Sequence, residues 1–359
     1  MSEVKVSFTD AICYGHFKGL TNNVKSHILG LGVNYQNGAD GTTKNLAVEF
    51  PSQLHDTPVS EAAFTGMAVG MGTNGLNPIV HHGRVEFALL AMDQVLTQAA
   101  KWEFMFGGDY PCNFAARLNI GRQWGNGPQH TSSYNSLFLN TPGINIFWPS
   151  RPSEAAVFTE KLHHVKNATL SMEHRYLFRT LDNLPRDDDF MKPVQTAAIY
   201  GGNSDTVIIT YGDGLGEALK VKDALSDCDV QIVCLTAFMS DRKLSSVITE
   251  IASQAKTLIC IDTSNYQYGL MQSTIGMLAE EVNISGKLKI FSPPFTPCAT
   301  SPLLVKEYYP KSYKIVSYLN GLGITKIVAD EYSFDEHHLP LDYDFSGHAP
   351  SLVVSIESK

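Results

Sequence analysis

The chain reads as an α/β protein made of two doubly wound units, and three observations say so. Short apolar runs of strand composition alternate with helical patterns along most of its length. Its 359 residues are long for one domain and comfortable for two, and 43% of them are hydrophobic, enough for a sizeable core in each. A charged, turn-rich stretch, Asp182-Asn183-Leu184-Pro185-Arg186-Asp187-Asp188-Asp189, separates two such halves and reads as the interdomain linker.

In the first half, residues 8–20 carry a helical period, 27–33 form a short buried strand, 61–71 a helix of small residues and 87–101 a long helix. Residues 112–118 and 144–148 then read as strands, 153–163 as a helix and 169–173 as a strand. In the second half, the strand 206–211 ends in Gly212-Asp213-Gly214, followed by a helix at 217–225 and a strand at 230–235. A helix at 243–254, a strand at 257–261, a helix at 271–281, a strand at 287–290 and a closing helix at 313–320 complete it. Beyond about residue 327 the chain is rich in His, Asp and Pro and shows no clear period. The expected boundaries are 1–190, 191–335 and a tail over 336–359.

The net charge of −9 and the lack of any Lys/Arg-rich run argue against nucleic-acid binding, which needs a basic face. The six cysteines are scattered, with no CxxC pair and no Cys/His spacing suited to zinc, so buried thiols in a reducing compartment are expected. No apolar run approaches membrane-spanning length, and the N-terminal Met-Ser-Glu-Val-Lys-Val has neither an apolar h-region nor an Arg-rich presequence. The expected location is the cytoplasm, with no membrane partner.

The most informative stretch runs from Asp56 to Gly70. Pro58 breaks the backbone, Ser60 is a good N-cap, and the Ala/Gly/Met run behind it suits a helix packed tightly against something flat. Glu61 then puts one carboxylate at the mouth of an otherwise small and apolar helix. Taken locally, it reads as a first-turn acid favoured by the helix dipole.

The motifs that follow change the weighing. Met92-Asp93-Gln94-Val95 with Ala99-Ala100-Lys101, then Gly107-Gly108, Gly127-Pro128-Gln129-His130-Thr131-Ser132 and Pro142-Gly143-Ile144-Asn145-Ile146 succeed one another in the first half. Tyr211-Gly212-Asp213-Gly214, Pro293-Pro294-Phe295-Thr296-Pro297, Ser301-Pro302-Leu303 and Tyr309-Pro310 follow in the second. In that order they resemble the beta subunit of the thiamine-diphosphate-dependent 2-oxoacid dehydrogenases, in the transketolase-like superfamily. The resemblance implies a pyrimidine-binding thiamine-diphosphate domain followed by a transketolase C-terminal-like domain.

It also implies roles. Thiamine diphosphate becomes nucleophilic only when a carboxylate exchanges a proton with the far side of its aminopyrimidine, and by resemblance that acid is Glu61. Phe87, six residues before Asp93, stands where an aromatic ring stacks on the aminopyrimidine, although a core Phe opening an amphipathic helix explains it almost as well. His130 lies in a Gly-rich loop that cannot be a packed helix interior, and the family places a residue there facing the substrate, with Gln129 beside it. Magnesium on the cofactor diphosphate is held in the superfamily by Gly-Asp-Gly followed some thirty residues later by Asn. Gly212-Asp213-Gly214 is the one such tripeptide here, and near that spacing stand Asp241 and Arg242 instead. No metal ligands are therefore expected on this chain. An alpha-like partner subunit would supply the diphosphate and magnesium side, the second domain would self-associate into an α2β2 assembly, and a lipoyl acyltransferase would receive the product.

One segment departs from the family. Where pyruvate and branched-chain enzymes carry an apolar, aromatic wall, this chain has Val80-His81-His82-Gly83-Arg84-Val85-Glu86-Phe87. As a strand, it would put His82 and Arg84 on one face and His81 on the other. The three residues are candidates for substrate binding, and a solvated strand end is the plain alternative. The expected activity is oxidative decarboxylation of a 2-oxo acid with acyl transfer to a lipoyl group. A split transketolase acting on a polar, sugar-like substrate and a non-catalytic scaffolding subunit are the alternatives.

Overall fold

The computed structural model describes residues 4–122, 125–265, 267–328 and 343–356. Its strands, in chain order, are β1 (Lys5–Ser7), β2 (Ser26–Gly30), β3 (Leu54–Asp56), β4 (Asn77–His82), β5 (Ala115–Ile120), β6 (Asn145–Phe147), β7 (Thr169–His174) and β8 (Leu181–Asn183). The second half adds β9 (Gln195–Tyr200), β10 (Thr206–Tyr211), β11 (Gln231–Leu235), β12 (Ala237–Phe238), β13 (Thr257–Ile261), β14 (Leu288–Phe291) and β15 (Leu352–Ser355). Two α/β domains result. The first is built on a seven-stranded sheet in the order β12-β6-β7-β5-β4-β2-β3, the second on a six-stranded sheet in the order β14-β13-β10-β11-β9-β15.

In the first sheet all neighbours from β6 to β3 are parallel. Parallel strands need helical crossovers, and these bury both faces of the sheet. Accordingly every residue of β4, β5 and β7 is buried. The helix Phe8–Asn22 lies along the helix Pro152–Leu162 on one face, while Glu61–Thr73 packs on β4 on the other. In the latter helix Phe64, Thr65, Ala68, Val69 and Gly72 face the core. Gly72 is required there, since a Cβ would come 2.9 Å from the Asn113 carbonyl oxygen.

The parallel core of the second sheet runs β14-β13-β10-β11, and β9 and β15 extend it antiparallel. The stretch 352–355, which showed no period in the sequence, thus pairs with β9. It is led there by residues 343–348, where Leu181 donates to the Tyr343 carbonyl and Arg151 to the carbonyls of Phe345 and His348. Strand β12 leaves the second half to pair with β6 of the first.

Three local expectations are corrected. The run expected as one long helix is helical from Val85 to Met105 but changes pitch, being α at Val85–Ala88, 3-10 at Leu89–Ala91, π at Asp93–Ala99 and α again at Ala100–Met105. Changes of pitch rotate successive residues, and Val95, Ala99 and Ala100 all end in the core. The Asp182 stretch is no loose linker: Leu181–Asn183 pairs with β1, and buried Asp182 accepts two bonds from Arg151 at 2.6 and 2.7 Å. Ser60, finally, precedes its helix without a side-chain capping bond, its backbone lying at φ −154° and ψ 71°.

Candidate active site at the carboxyl edge of the first sheet

Topology decides where the site residues fall. With β3, β2, β4 and β5 parallel and adjacent, the segments that follow them emerge at one edge, the place where open parallel sheets form crevices. Glu61 follows β3, Arg84 and Phe87 follow β4, and His130 follows β5. Residues spread over 70 positions of sequence are brought to one rim.

Glu61 opens its helix half-buried, and its carboxylate has no hydrogen-bond or ion-pair partner among the described residues. Phe87 is 40% exposed, and its ring meets the His130 imidazole edge-on, with centroids 5.6 Å apart and planes at 73°. Between them Glu86 accepts the Ser132 amide at 2.7 Å, tying the end of β4 to the His130 loop. His130 itself is half-buried, with its Nδ1 enclosed and unpaired. Gln129 is exposed beside it. Sequence reading placed these residues separately; the Phe87–His130 contact and its Glu86 brace were not visible there.

The polar segment behaves differently from either expectation. His81 and His82 are buried, 4% and 2% exposed, so neither is a solvated strand end. His82 points to the helix Glu61–Thr73, its Nε2 3.3 Å from Thr65 Oγ1 and its ring 5.4 Å from Phe64. Burial pulls its pKa down to about 4. His81 points the other way, toward Arg117, Arg175 and Arg84, and burial followed by the Arg117 charge holds it neutral. Arg84 therefore lies on His81's side, not His82's. The strand ends at His82, so the alternation does not carry through Gly83. Arg84 is half-buried and donates to the Gly83 carbonyl at 2.5 Å. Asp40, which accepts from Arg175 at 2.6 Å and Asn119 at 2.9 Å, provides the neighbouring negative charge.

Beneath the rim runs a buried polar chain that the sequence did not reveal. Arg117 and Glu173 form a bidentate pair at 2.8 and 2.7 Å with both side chains essentially unexposed. Arg117 also reaches His16 Nε2 at 3.1 Å, and arginine can only donate, so that nitrogen accepts. It follows that His16 Nδ1–H donates to His163 Nε2 at 2.9 Å and that His163 Nδ1–H donates to Ser26 Oγ at 2.7 Å. Ser26 ends the chain on the Asn77 carbonyl. Both imidazoles are neutral, which burial enforces: His16 is held far below its ordinary range and His163 near 3.

Asp213 of the Gly-Asp-Gly tripeptide is also taken. Buried to 1% exposure, it lies 3.0 Å from His174 Nδ1 and 3.5 Å from Arg122 Nε. Its burial opposes ionisation, but His174 and Arg122 outweigh that and hold the carboxyl at about 2. Among the described residues no three His, Cys, Asp or Glu side chains cluster as a metal site. The rim offers an acid without a partner among the described residues and a half-open aromatic ring, a donor set that suits the aminopyrimidine of a cofactor. A cleft of about 590 Å³ in the second domain, lined by Asn203, Asp205, Gln231 and Lys256, holds no buried unpaired polar side chain and lies on the other sheet. No described helix is long and apolar enough to cross a membrane.

Residues 19–180 match the transketolase pyrimidine-binding domain family. Over 284 residues the chain is 26% identical to acetoin:2,6-dichlorophenolindophenol oxidoreductase subunit beta of Cupriavidus necator, spanning 78% of this chain and 83% of that one. It is 23% identical over 310 residues to 2-oxoisovalerate dehydrogenase subunit beta of Bacillus subtilis, with 85% and 94% covered. To the pyruvate dehydrogenase E1 component subunit beta of Rhizobium meliloti it is 27% identical over 252 residues, 69% and 53% of the two chains. In fold it is similar to a split-gene transketolase described as an inactive beta4 tetramer, with a TM-score of 0.68 at 15% identity over 90% of this chain and 99% of the other. Fold and rim together define a transketolase-like α/β protein. More narrowly, over most of its length the chain is similar to the beta subunits of enzymes acting on acetoin, 2-oxoisovalerate and pyruvate, and its residues 19–180 carry the transketolase pyrimidine-binding domain.

Proposed function

We propose that this chain supplies the aminopyrimidine half of a thiamine-diphosphate site completed by an alpha-like subunit, in an enzyme that decarboxylates a 2-oxo acid and passes the acyl group to a lipoyl partner. The observation that carries this reading is the Glu61 carboxylate, without a partner among the described residues, on the same sheet edge as the Phe87–His130 pair. The bound cofactor would supply a carbon nucleophile and an electron sink. Glu61 would hold and exchange the proton on the aminopyrimidine, Phe87 would present its exposed ring to that heterocycle, and His130 would give or take a proton at the substrate oxygen. Magnesium would be held by the partner, since Asp213 is engaged by His174 and Arg122. The same reading divides the chain near residue 190, with the second domain building an α2β2 assembly.

A polar substituent on the substrate is favoured by Arg84, a half-buried cation whose bonded partner is its neighbour's carbonyl. Such a site rejects an aliphatic chain because its polar groups are then left unpaired.

The test is Glu61→Gln in the enzyme assembled with its alpha-like partner. Assembly should be retained, while proton–deuterium exchange at the thiazolium carbon should fall by about 10²-fold or more, the contribution of one positioned acid or base. An unchanged exchange rate would return Glu61 to the role of a first-turn acid.

A further inference from the structure

The loop that carries His130 is held by the second domain. At its base the Gly121 amide donates to the Ser132 carbonyl at 3.0 Å, closing the neck. Next to that neck stands Arg122, between the two halves of the chain. Its guanidinium carbon lies 3.6 Å from the ring centre of Tyr176 and 4.4 Å from that of Tyr309, a residue of the second domain. On its edge stands Asp213, from the turn after β10. Arg122, His174, Asp213, Tyr176 and Tyr309 are all buried, none more than 5% exposed. The Asp213 contacts at 3.0 and 3.5 Å leave its oxygens without well-aligned hydrogen bonds, so the attraction is Coulombic and strong for want of water.

A second set of contacts holds the far side of the same loop. Gly127, at φ +76°, sits so close to Thr300 that a Cβ would come 2.6 Å from its hydroxyl, and a Cβ on Gly125 would come 3.1 Å from the Thr300 carbonyl oxygen. Thr131 donates to the Gly127 carbonyl at 2.9 Å and reaches the Cys298 thiol. Residues 298–309 of the second domain therefore form the floor on which the His130 loop rests.

We propose that Arg122 is a positioning residue: stacked on Tyr176 and Tyr309 and paired with Asp213, it fastens the His130 loop to the second domain, so that His130 is aimed by an interdomain contact. This deepens the proposed function and rests on its reading of His130. Among the described residues Arg122 has no recorded bond, ion pair or ring contact with His130 or the rim, and it acts through the loop it anchors.

Hydrogen exchange followed by mass spectrometry on the purified chain tests it, with the variants Arg122→Gln and the milder Tyr309→Leu. The expected result is exchange in residues 125–132 accelerated by about 10-fold or more, with β10 and the helix Phe8–Asn22 unchanged. Loop exchange within twofold of the parent in both variants, or acceleration spread equally over β10, would overturn the proposal. In the assembled enzyme, Arg122→Gln should lower kcat by about 10-fold or more with KM within twofold, and Arg122→Lys, which keeps the charge facing Asp213, should recover part of the loss. An unchanged kcat in an enzyme that His130→Ala inactivates would also overturn it. Should the assembled enzyme not use thiamine diphosphate at all, the function would fall while the exchange result stood.

Discussion

His82→Phe separates the structural from the catalytic meaning of the polar segment. The imidazole is 2% exposed and its pKa is pulled from an ordinary 6.5 to about 4 by burial. A histidine held low contributes its full stability above pH 6.5 and loses it as pH falls toward 4, because the unfolded chain takes the proton first. With those two values, the loss at pH 5 is about 2 kcal/mol and at pH 7.5 below about 0.1 kcal/mol. Phenylalanine keeps a ring against Phe64 and gives up the 3.3 Å contact with Thr65, a cost of about 1 kcal/mol at either pH. The variant should therefore be about 1 kcal/mol less stable than the parent at pH 7.5 and about 1 kcal/mol more stable at pH 5. Urea unfolding followed by circular dichroism at both pH values reads the difference. A stability gap that does not change sign between them would mean that His82 does not sit neutral in the core. In the assembled enzyme the same variant should leave KM nearly unchanged, because the ring faces Phe64 and not the rim.

Arg84→Ala is expected to do the opposite: little change in unfolding midpoint, but a KM for the true substrate raised by about 10-fold or more, and an unchanged KM would remove Arg84 from the site. Arg117→Met strands Glu173 in the core and should cost about 3–5 kcal/mol. Arg117→Met with Glu173→Gln should cost less than the sum of the single changes, and strict additivity in urea unfolding would contradict the pairing. Acid should unfold the parent early, because His163, held near 3 by burial, loses its contribution as pH falls from 6.5 toward that value; a stability independent of pH from 7 to 4 would contradict this.

Much of the fold was legible because parallel strands buried on both faces leave continuous apolar runs. Residues 206–211 and 257–261 coincide with β10 and β13, and the helix expected at 61–71 spans Glu61–Thr73. Strands β1, β3, β8, β9, β12 and β15 escaped, and β3 and β9 show why. The first is only three residues long, and β9 carries Gln195 and Thr196 with small alanines in place of a branched apolar run. The pitch changes between Val85 and Met105 were illegible because they answer to packing, not to composition. Glu61, Phe87 and His130 were singled out through motif order. The cluster behind the His130 loop was hidden: Arg122, His174 and Asp213 come from three distant segments, and only the folded chain brings the Gly-Asp-Gly carboxylate to the other two. The separation of Arg84 from His82 was likewise beyond a rule of alternation that stops where the strand stops.

The claim that this chain holds one half of a shared cofactor site is tested most directly by calorimetric titration of thiamine diphosphate with magnesium. The purified chain alone is compared with the chain co-expressed with an alpha-like subunit carrying Gly-Asp-Gly and Asn. The expected result is binding in the micromolar range for the complex and weak or undetectable heat for the chain alone. Micromolar, magnesium-dependent binding by the isolated chain would contradict the claim.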